Sequence, residues 1–438
     1  MLGAGMAGLA AAHALRRAGV DRVVVLEQAA VAGGRMLSER LVPDGPWGNY
    51  GSQMITAERV NVVRLARSVG CNLLPVKWAH VLERARLTFQ GMRVDQGEQQ
   101  VLRDTIARLE SEQARPRDPA LPEIDDRCFA DWLGEVPATV REFWEDWSQG
   151  LANASISEIS LYAALCLWGE QRVSPWSSTA VAHHDLGDCV VGGGTGELGR
   201  LLGEALGEGL VTSAEVLECA PGEGGYRIRL GCAGGEHDSR QVREVLAGAV
   251  ICALPAPVAV QVNRWLPPGK AEALSAVRYG RFLVTPIWVA PASERHRWPH
   301  AESYREGQTY ALPAFPLRTP DDPELHGACY QSWLNDRDAG AVWQDGDESI
   351  RCGVRAAFLR RFPEYEERIV HIGIKRWPHG LPKLSPGRLK GSAQLVAAVE
   401  GMHFCGDYSG IANLEEASRS GERAAGEVTG AVRAAVSP

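Results

Sequence analysis

The sequence predicts an α/β fold in which a central parallel sheet is assembled from separated segments of one chain. Three observations support this prediction. The motif Gly3-x-Gly5-x-x-Gly8 opens a helix, an apolar strand follows it and ends at Glu27, and further glycine-rich segments occur near residues 192 and 406. Glycines at this spacing before a helix, with an acid after the next strand, are typical of a Rossmann-like dinucleotide-binding domain.

The first 35 residues carry the clearest pattern. Residues 23–26 form an uninterrupted apolar run, as expected of a strand that is buried on both faces of a parallel sheet. Glu27 lies 19 residues after Gly8, close to the spacing of about 20 expected of the acid that binds a ribose hydroxyl. A second tight turn, at residues 33–35, follows.

One element of the motif is missing. Only Met1 and Leu2 precede Gly3, whereas the glycine motif normally follows a strand. Loss of that central strand would leave backbone groups of its neighbours without hydrogen bonds. We therefore expect further residues upstream of Met1.

Later segments continue the α/β pattern. Three glycines at 192–194 precede a helix with a leucine-rich face, and strand-like runs follow at 211–219, 226–230 and 249–254. Residues 403–407 are typical of a short strand and turn. The last helix carries small residues suited to close packing.

The segments between these blocks differ in composition, because they are richer in tryptophan, tyrosine and proline and less regular in their periodicity. We predict a discontinuous dinucleotide-binding domain at residues 1–76, 185–266 and 370–438. The segments 77–184 and 267–369 are predicted to form a second, interleaved α+β domain.

Composition excludes several classes of protein. The net charge of -8 disfavours a nucleic acid or an anionic membrane as partner. No apolar run reaches the roughly 20 residues of a membrane-spanning helix, and no basic stretch precedes the apolar start as in a signal peptide. The ten cysteines form no CxxC pair, which is typical of reduced thiols in a cytoplasmic protein. We expect a small-molecule ligand.

Taken in order, these blocks resemble the flavin-containing amine oxidase superfamily. The resemblance includes the opening glycine motif, the turn at 33–35, the middle block from Val191 and the C-terminal segment 404–425. Residues 51–53 stand where the family has a Gly-Ala-Gln-like turn near the flavin ring. Residues 215–216 match the strand that meets the adenine.

The resemblance implies an FAD-binding domain interleaved with a substrate-binding domain. The positions that it implies for cofactor binding are Gly3, Gly5, Ala7, Gly8, Glu27, Gly34, Arg35, Gly51, Ser52, Gln53, Val216, Trp377, Gly406, Asp407, Asn413 and Leu414. The glycine loop and Arg35 would hold the diphosphate, Glu27 a ribose, Val216 the adenine and Asp407 the ribityl–diphosphate region. An Asp after Gly is also a common turn former, so a purely turn-forming role remains an alternative for Asp407.

Three departures from the family pattern concern the flavin ring. Val284 stands where amine-oxidising relatives carry a lysine that holds a water near flavin N5, and Asn413 stands where they have a tyrosine of an aromatic cage. The segment 377–387 has no cysteine for covalent attachment, so the resemblance implies non-covalent FAD. Trp377 either lines the flavin or fills the core.

The resemblance implies an FAD-dependent oxidoreductase that takes a hydride from a C–H bond alpha to nitrogen of an amine, amide or amino-acid-like substrate, giving an imine. The departures favour a specialised biosynthetic intermediate as the substrate. Two alternatives stay open: a C–C desaturase or ring dehydrogenase acting on an apolar substrate, and a catalytically idle flavin-binding protein. O2 is the expected electron acceptor, and a homodimer is compatible with the sequence.

No catalytic residue is assigned, because hydride transfer to a flavin needs no general base. The histidines that invite a metal interpretation have no acid or cysteine at ligand spacing, so we predict no metal site. They are His183, His184, His296 and His300.

Aromatic residues are expected mainly in the core. Trp144 and Trp147 fall on one face of a predicted helix. Three other tryptophans either pack in the core or line the flavin pocket: Trp168, Trp288 and Trp333. Arg318 and Tyr330 are candidates for substrate contact.

Overall fold

A computed structural model describes most of the chain. The described residues are 1–43, 47–75, 96–114, 123–170, 185–232, 241–290, 304–306, 309–313 and 328–436. Arg318 and the four histidines considered above as metal ligands lie outside these ranges.

Helices and strands alternate along the described residues. The α-helices are α1 (Met6–Arg17), α2 (Val60–Ser68), α3 (Gln96–Ala114), α4 (Phe129–Leu133), α5 (Ala138–Ala152), α6 (Leu161–Glu170), α7 (Thr195–Glu204), α8 (Ala256–Val262), α9 (Pro268–Ser275), α10 (Asp336–Ala341), α11 (Asp347–Arg361), α12 (Ser392–Val396) and α13 (Leu414–Val436). The strands are β1 (Val25–Leu26), β2 (Ser38–Arg40), β3 (Trp47–Asn49), β4 (Leu73–Pro75), β5 (Cys189–Val191), β6 (Leu210–Val211), β7 (Ala214–Gly222), β8 (Gly225–Cys232), β9 (Gln241–Ala247), β10 (Val250–Cys252), β11 (Tyr279–Val289), β12 (Tyr304–Glu306), β13 (Thr309–Pro313), β14 (Ala328–Leu334), β15 (Ile369–Ile372), β16 (Lys375–Pro382) and β17 (Met402–Phe404).

A parallel sheet combines distant segments in the order β6, β1, Met1–Gly3, β10 and β17. Leu2 forms parallel bridges to both Leu26 and Cys252. Its amide donates to Ile251 at 2.9 Å, and the amide of Gly3 donates to Leu26 at 2.8 Å. Met1–Gly3 thus lie between β1 and β10 and hydrogen-bond to both. The expectation of residues upstream of Met1 stays a prediction.

Helices α1 and α13 pack against each other at very short distance. A Cβ atom on Gly421 of α13 would lie 2.2 Å from the backbone oxygen of Ala7 in α1. Only glycine permits this approach. Ala424 and Ala425 are buried one turn further along the helix, which confirms that the small residues of the last helix serve close packing.

One predicted strand is divided in two. The apolar run 211–219 was expected to be continuous, but β6 ends at Val211 and β7 begins at Ala214. Between them Ser213 adopts a φ of 52°, which breaks an extended strand. The backbone that flanks the break hydrogen-bonds to the chain after β1, where the amide of Ala214 donates to the backbone oxygen of Glu27 at 2.9 Å.

A larger, mostly antiparallel sheet has the order β12-β13-β14-β11-β15, and β16 also pairs with β11. Successive side chains of a strand point to opposite faces. Leu283, Ile287 and Tyr330 are buried on one face, where they pack against Phe358 of α11.

Helices α3 to α6 enclose a separate aromatic core. Trp144 and Trp147 of α5 are in contact, with ring centroids 5.5 Å apart, which confirms that they share a helix face. Trp168 of α6 lies 5.5 Å from Trp144, so it belongs to this core.

The predicted division into two domains stays a prediction. Strands β15 and β16 hydrogen-bond within the larger sheet, although most of this segment was expected in the dinucleotide-binding domain, from residue 370 onward. Within the described residues, no helix combines the length and apolar character needed to cross a bilayer.

Candidate functional site

The glycine loop leaves the start of α1 open. Gly3 has a φ of +96°, and a Cβ on Gly8 would lie 2.0 Å from the backbone oxygen of Gly3. Gly5 precedes the first helical turn, which has no side-chain cap and no acidic residue. A Cβ at Gly5 would meet no atom within 4 Å. Free N–H groups and the positive end of the helix dipole make such a terminus suited to an anion.

Glu27 follows β1 beside this loop. Its buried carboxylate accepts the amide of Ala4 at 2.8 Å and the amide of Ala29 at 2.9 Å. These bonds fix the carboxylate where β1 and the glycine loop meet. Because the backbone of Ala214 binds Glu27, the beginning of β7 with Val216 lies at the same edge.

Arg35 joins the turn at 33–35 to the C-terminal segment. Its guanidinium binds both carboxylate oxygens of Asp407, at 2.7 and 2.9 Å, and the backbone oxygen of Gly380 at 2.8 Å. Burial alone would lower the pKa of Arg35, but the charge of Asp407 and its hydrogen bonds raise this pKa on balance. The turn before Arg35 passes close to the loop, since a Cβ on Gly34 would lie 3.2 Å from Gly5 Cα.

The segment around Asp407 is held by α13. The amide of Gly406 donates to Ser420 Oγ at 3.0 Å. Asn413 caps the helix, because its Oδ1 accepts the amide of Glu416 at 2.8 Å, and Leu414 is the first helical residue. Burial raises the pKa of Glu416, whose carboxylate accepts the Ser409 hydroxyl at 2.7 Å.

Gly51 and Ser52 follow β3 and lie against Arg35, and Gln53 is the next residue of the turn. A Cβ on Gly51 would be only 1.9 Å from the backbone oxygen of Arg35. The Ser52 amide donates to that oxygen at 3.0 Å, and Thr195 Oγ1 donates to the Ser52 oxygen at 2.6 Å. This turn is therefore fixed between the loop after β1 and the start of α7.

Trp377 connects the same region to the larger sheet. Its Nε1 donates to the backbone oxygen of Tyr50 at 2.5 Å, next to the turn at Gly51. In the strand register Trp377 lies opposite Phe282, and Lys375 lies opposite Val284. Antiparallel partners project to the same face.

This second face of the sheet is largely aromatic. Trp333 lies opposite Val284 on the other side of β11, and its ring is 6.5 Å from that of Phe282. By alternation along β11, Trp288 lies further along the face. We call Phe282, Val284, Trp333, Lys375 and Trp377 the aromatic face.

The predicted site residues of the separate segments are thus connected by hydrogen bonds and close backbone approaches. Tyr330 is not part of this arrangement. It is fully buried on the opposite face, with its ring 4.9 Å from that of Phe358. Tyr330 as a substrate contact is therefore wrong.

Several contributors were missed from the sequence. Gly380 acts through its backbone oxygen, which no residue pattern reveals, while Ser420 and Thr195 position neighbouring backbone. Lys375 precedes Trp377 by two residues, and the period of two in a strand was the signal that could have placed both on one face. Within the described residues, no cluster of three or more His, Cys, Asp or Glu side chains suits a metal ion.

The arrangement is suited to an extended anionic ligand. An uncapped helix terminus, a fixed carboxylate and the Arg35–Asp407 pair lie along one end, and the aromatic face lies beyond the turn at Gly51. Glycines at the narrowest points leave room for a ligand to approach the backbone.

Comparisons with known proteins were made on sequence and on structure. The sequence model of the family described as "Flavin containing amine oxidoreductase" matches residues 6–429. A search of curated proteins finds no match.

Several solved structures share the fold. A cyclohexylamine oxidase from Brevibacterium oxydans superposes with a TM-score of 0.71 at 17% identity, over 99% of this chain and 98% of that chain. A wild-type putrescine oxidase bound to putrescine has a TM-score of 0.70 at 18% identity, over 98% of both chains. A protein described as a protoporphyrinogen oxidase from Exiguobacterium sp. 255-15 has a TM-score of 0.66 at 18% identity, over 98% of this chain and 97% of that chain.

Proposed function

Because the chain belongs to the family of flavin-containing amine oxidoreductases, we propose that it binds FAD non-covalently and oxidises a C–H bond alpha to nitrogen. The observation that carries this proposal is the triple contact of Arg35 with Asp407 and Gly380. It joins the turn at 33–35, which lies against the glycine loop, to β16, the strand that presents Trp377.

The loop end of the site would hold the nucleotide part of FAD. The first turn of α1 and Arg35 would bind the diphosphate, and Glu27 a ribose hydroxyl. Val216 would lie against the adenine, and Asp407 near the ribityl chain. The fit is supported by the open space at Gly5, where a Cβ would meet no atom within 4 Å, and by the absence of an acidic side chain in the first turn of α1.

The isoalloxazine ring would lie toward Trp377 and the turn at Gly51, Ser52 and Gln53. Asn413 and Leu414 would present the start of α13 to it. Non-covalent binding is favoured because the segment 377–387 contains no cysteine. All ten cysteines lie elsewhere in the chain.

When bound, the flavin supplies an acceptor for a hydride. In the proposed reaction the substrate C–H bond breaks with its electron pair, a C=N bond forms, and the amine nitrogen gives up a proton. The aromatic face would exclude water and favour the neutral amine, since burial disfavours a charged ammonium. The expectation of a specialised substrate, larger than simple amines, is part of the proposal.

A second candidate is dehydrogenation of a C–C bond in an apolar ring system. It is favoured by the apolar character of Phe282, Val284, Trp333 and Trp377. This reaction would require no nitrogen in the substrate.

Anaerobic reduction of the flavin-loaded protein tests the proposal. The panel comprises monoamines, diamines, amino acids, larger amines and amides, together with cyclic substrates without nitrogen. We expect bleaching of the oxidised-flavin absorbance only by compounds with a C–H bond alpha to nitrogen, and slower bleaching when that position carries deuterium. Bleaching by nitrogen-free rings would support the second candidate. If the flavin is bound but no compound reduces it, the enzymatic proposal fails.

A pair of variants connects this result to the site. Trp377→Phe removes the hydrogen bond to Tyr50 and is expected to slow flavin reduction. Trp265→Phe is the matched control, because Trp265 Nε1 also donates to a backbone oxygen, that of Cys219 at 2.9 Å. The control should reduce its flavin at the wild-type rate. Equal rates in both variants would contradict a ring position near Trp377.

A further inference from the structure

The aromatic face carries one cation, Lys375, whose surroundings differ from those of the other three lysines that the structure describes. The chain has five lysines among its 46 basic residues. Lys270 donates to three backbone oxygens, Lys383 pairs with Glu158 and Asp336, and Lys390 pairs with Asp126. Within the described residues, the ammonium of Lys375 has no hydrogen bond or ion pair.

The ammonium of Lys375 instead lies over an aromatic ring. Its Nζ is 4.9 Å from the ring centroid of Trp377. A cation–π contact of this kind uses none of the three N–H donors of the ammonium for a hydrogen bond, and the side chain is half-buried. The position thus retains the capacity to bind an anion.

The strand register places the side chain of Lys375 on the same face of the sheet as the other residues of the aromatic face. Lys375 lies directly opposite Val284, and two residues further along the strands Trp377 lies opposite Phe282. Directly opposed side chains have Cβ atoms about 4.5–5.5 Å apart. The neighbouring Arg376 points to the other face, where it binds Asp347 at 2.5 Å.

The aromatic face carries a positive charge, that of Lys375, and no negative charge. Neither the aromatic face nor the other described positions of β11, β14 and β16 that project with it include an Asp or Glu. A substrate with two ammonium groups would find no counterion among these residues and would be repelled by Lys375. A substrate with a carboxylate would find a half-buried ammonium with which to form a charge-assisted hydrogen bond.

We propose that Lys375 forms an anion-binding subsite on the aromatic face and selects amine substrates that also carry a carboxylate. This inference rests on the proposed function, because it concerns the substrate of the same site. It names a binding and selectivity role for Lys375 and gives it no part in C–H cleavage.

Binding of benzoate to the flavin-loaded protein is the direct test. Benzoate pairs an aromatic ring with a carboxylate and cannot be oxidised as an amine. Its dissociation constant is measured from the change in the flavin spectrum and, independently, from tryptophan fluorescence. We expect Lys375→Met to raise the dissociation constant at least tenfold and Lys375→Arg to stay within about threefold of wild type. The wild-type constant should also rise with ionic strength.

Lys390→Met is the matched control, because it removes the same charge from a half-exposed lysine that is paired with Asp126. It should bind benzoate as wild type does. Equal affinity of wild type and Lys375→Met, or no binding to wild type, would overturn the proposal. An intact folded spectrum of Lys375→Arg with lost binding would overturn it as well, since that variant keeps the charge.

Failure of the selectivity role can be distinguished from failure of the proposed function. Benzylamine and 4-(aminomethyl)benzoate share one oxidisable C–H bond and differ by a carboxylate. Preference for the second in wild type, lost in Lys375→Met, supports the subsite. Reduction of the flavin by both with equal efficiency leaves amine oxidation intact and refutes the subsite. Benzoate binding, with no reduction of the flavin by any nitrogen compound of the panel above, would refute the function and retain the subsite.

Discussion

The close contact between α1 and α13 predicts that a methyl group added at Gly421 destabilises the protein. In Gly421→Ala the new Cβ would lie 2.2 Å from the Ala7 oxygen and 3.1 Å from the Ala11 nitrogen. These are backbone atoms, so neither can rotate away. The helices must separate by at least 0.8 Å to restore the 3.0 Å below which real Cβ contacts are essentially not found.

Gly426→Ala on the same helix is the matched control. A Cβ there would meet no atom within 4 Å, so alanine should stabilise the helix by about 0.5–1 kcal/mol. The same gain applies to Gly421, but overpacking typically costs about 1–3 kcal/mol and outweighs it. We expect the free energies of unfolding of the two variants to differ by about 2 kcal/mol.

Urea unfolding followed by circular dichroism measures this difference. The denaturant slope should stay constant while the midpoint falls for Gly421→Ala and rises slightly for Gly426→Ala. Because Ala7 lies in the first turn of α1, flavin affinity should fall with Gly421→Ala alone, by about tenfold. Equal midpoints for the two variants would refute the steric reasoning, and equal flavin affinities would refute its connection to the site.

Three further predictions concern charged groups. A double-mutant cycle of Arg35→Met and Asp407→Asn should give a coupling energy of about 1–2 kcal/mol in the free energy of unfolding, because each single change leaves a partly buried charge without its partner. Glu27→Gln should lower that free energy by about 1–2 kcal/mol and weaken FAD binding in a flavin titration, since an amide offers one acceptor to two backbone donors. Burial lowers the pKa of Lys270 from 10.5 to about 8. Between these values only the unfolded chain holds the proton, so the stability of wild type relative to Lys270→Met should rise with pH by at most about 1.4 kcal/mol per unit and be level below pH 8.

Each of these has a contradicting outcome. Additive effects in the cycle would show that Arg35 and Asp407 act independently. Unchanged stability and flavin affinity of Glu27→Gln would show that the two amide bonds contribute nothing. A wild-type advantage that falls as the pH rises from 8 to 10.5 would mean that Lys270 is stabilised in its charged form, by the three backbone oxygens and the Phe404 ring 4.0 Å away.

Local sequence patterns predicted the parts of the fold that depend on neighbouring residues. The glycine loop, α1, the strand before Glu27 and the final helix follow from glycine spacing and apolar runs. The break at Ser213 was not predicted, because its cause is the hydrogen bonding of Ser213 and Ala214 to the chain after β1. Local propensity contains no such tertiary information.

The candidate site shows the same limit. The dinucleotide loop could be predicted because in such loops the backbone conformation, close packing or the approach of the ligand leaves no room for a side chain at the glycines. The pairing of Lys375 with Val284 could not, because the register between β16 and β11 is set by packing of segments about ninety residues apart. In the sequence alone, the period of two places Lys375 and Trp377 on one face of a strand, and only the register places them beside Val284 and Phe282.

The visible absorption spectrum of the purified protein, after incubation with FAD, tests the central claim most directly. We predict oxidised-flavin bands that remain with the protein on gel filtration and pass into the supernatant on acid precipitation, with one FAD per chain. A protein that binds no flavin under these conditions would contradict an FAD-dependent oxidoreductase. Flavin that stays with the acid precipitate would contradict non-covalent binding.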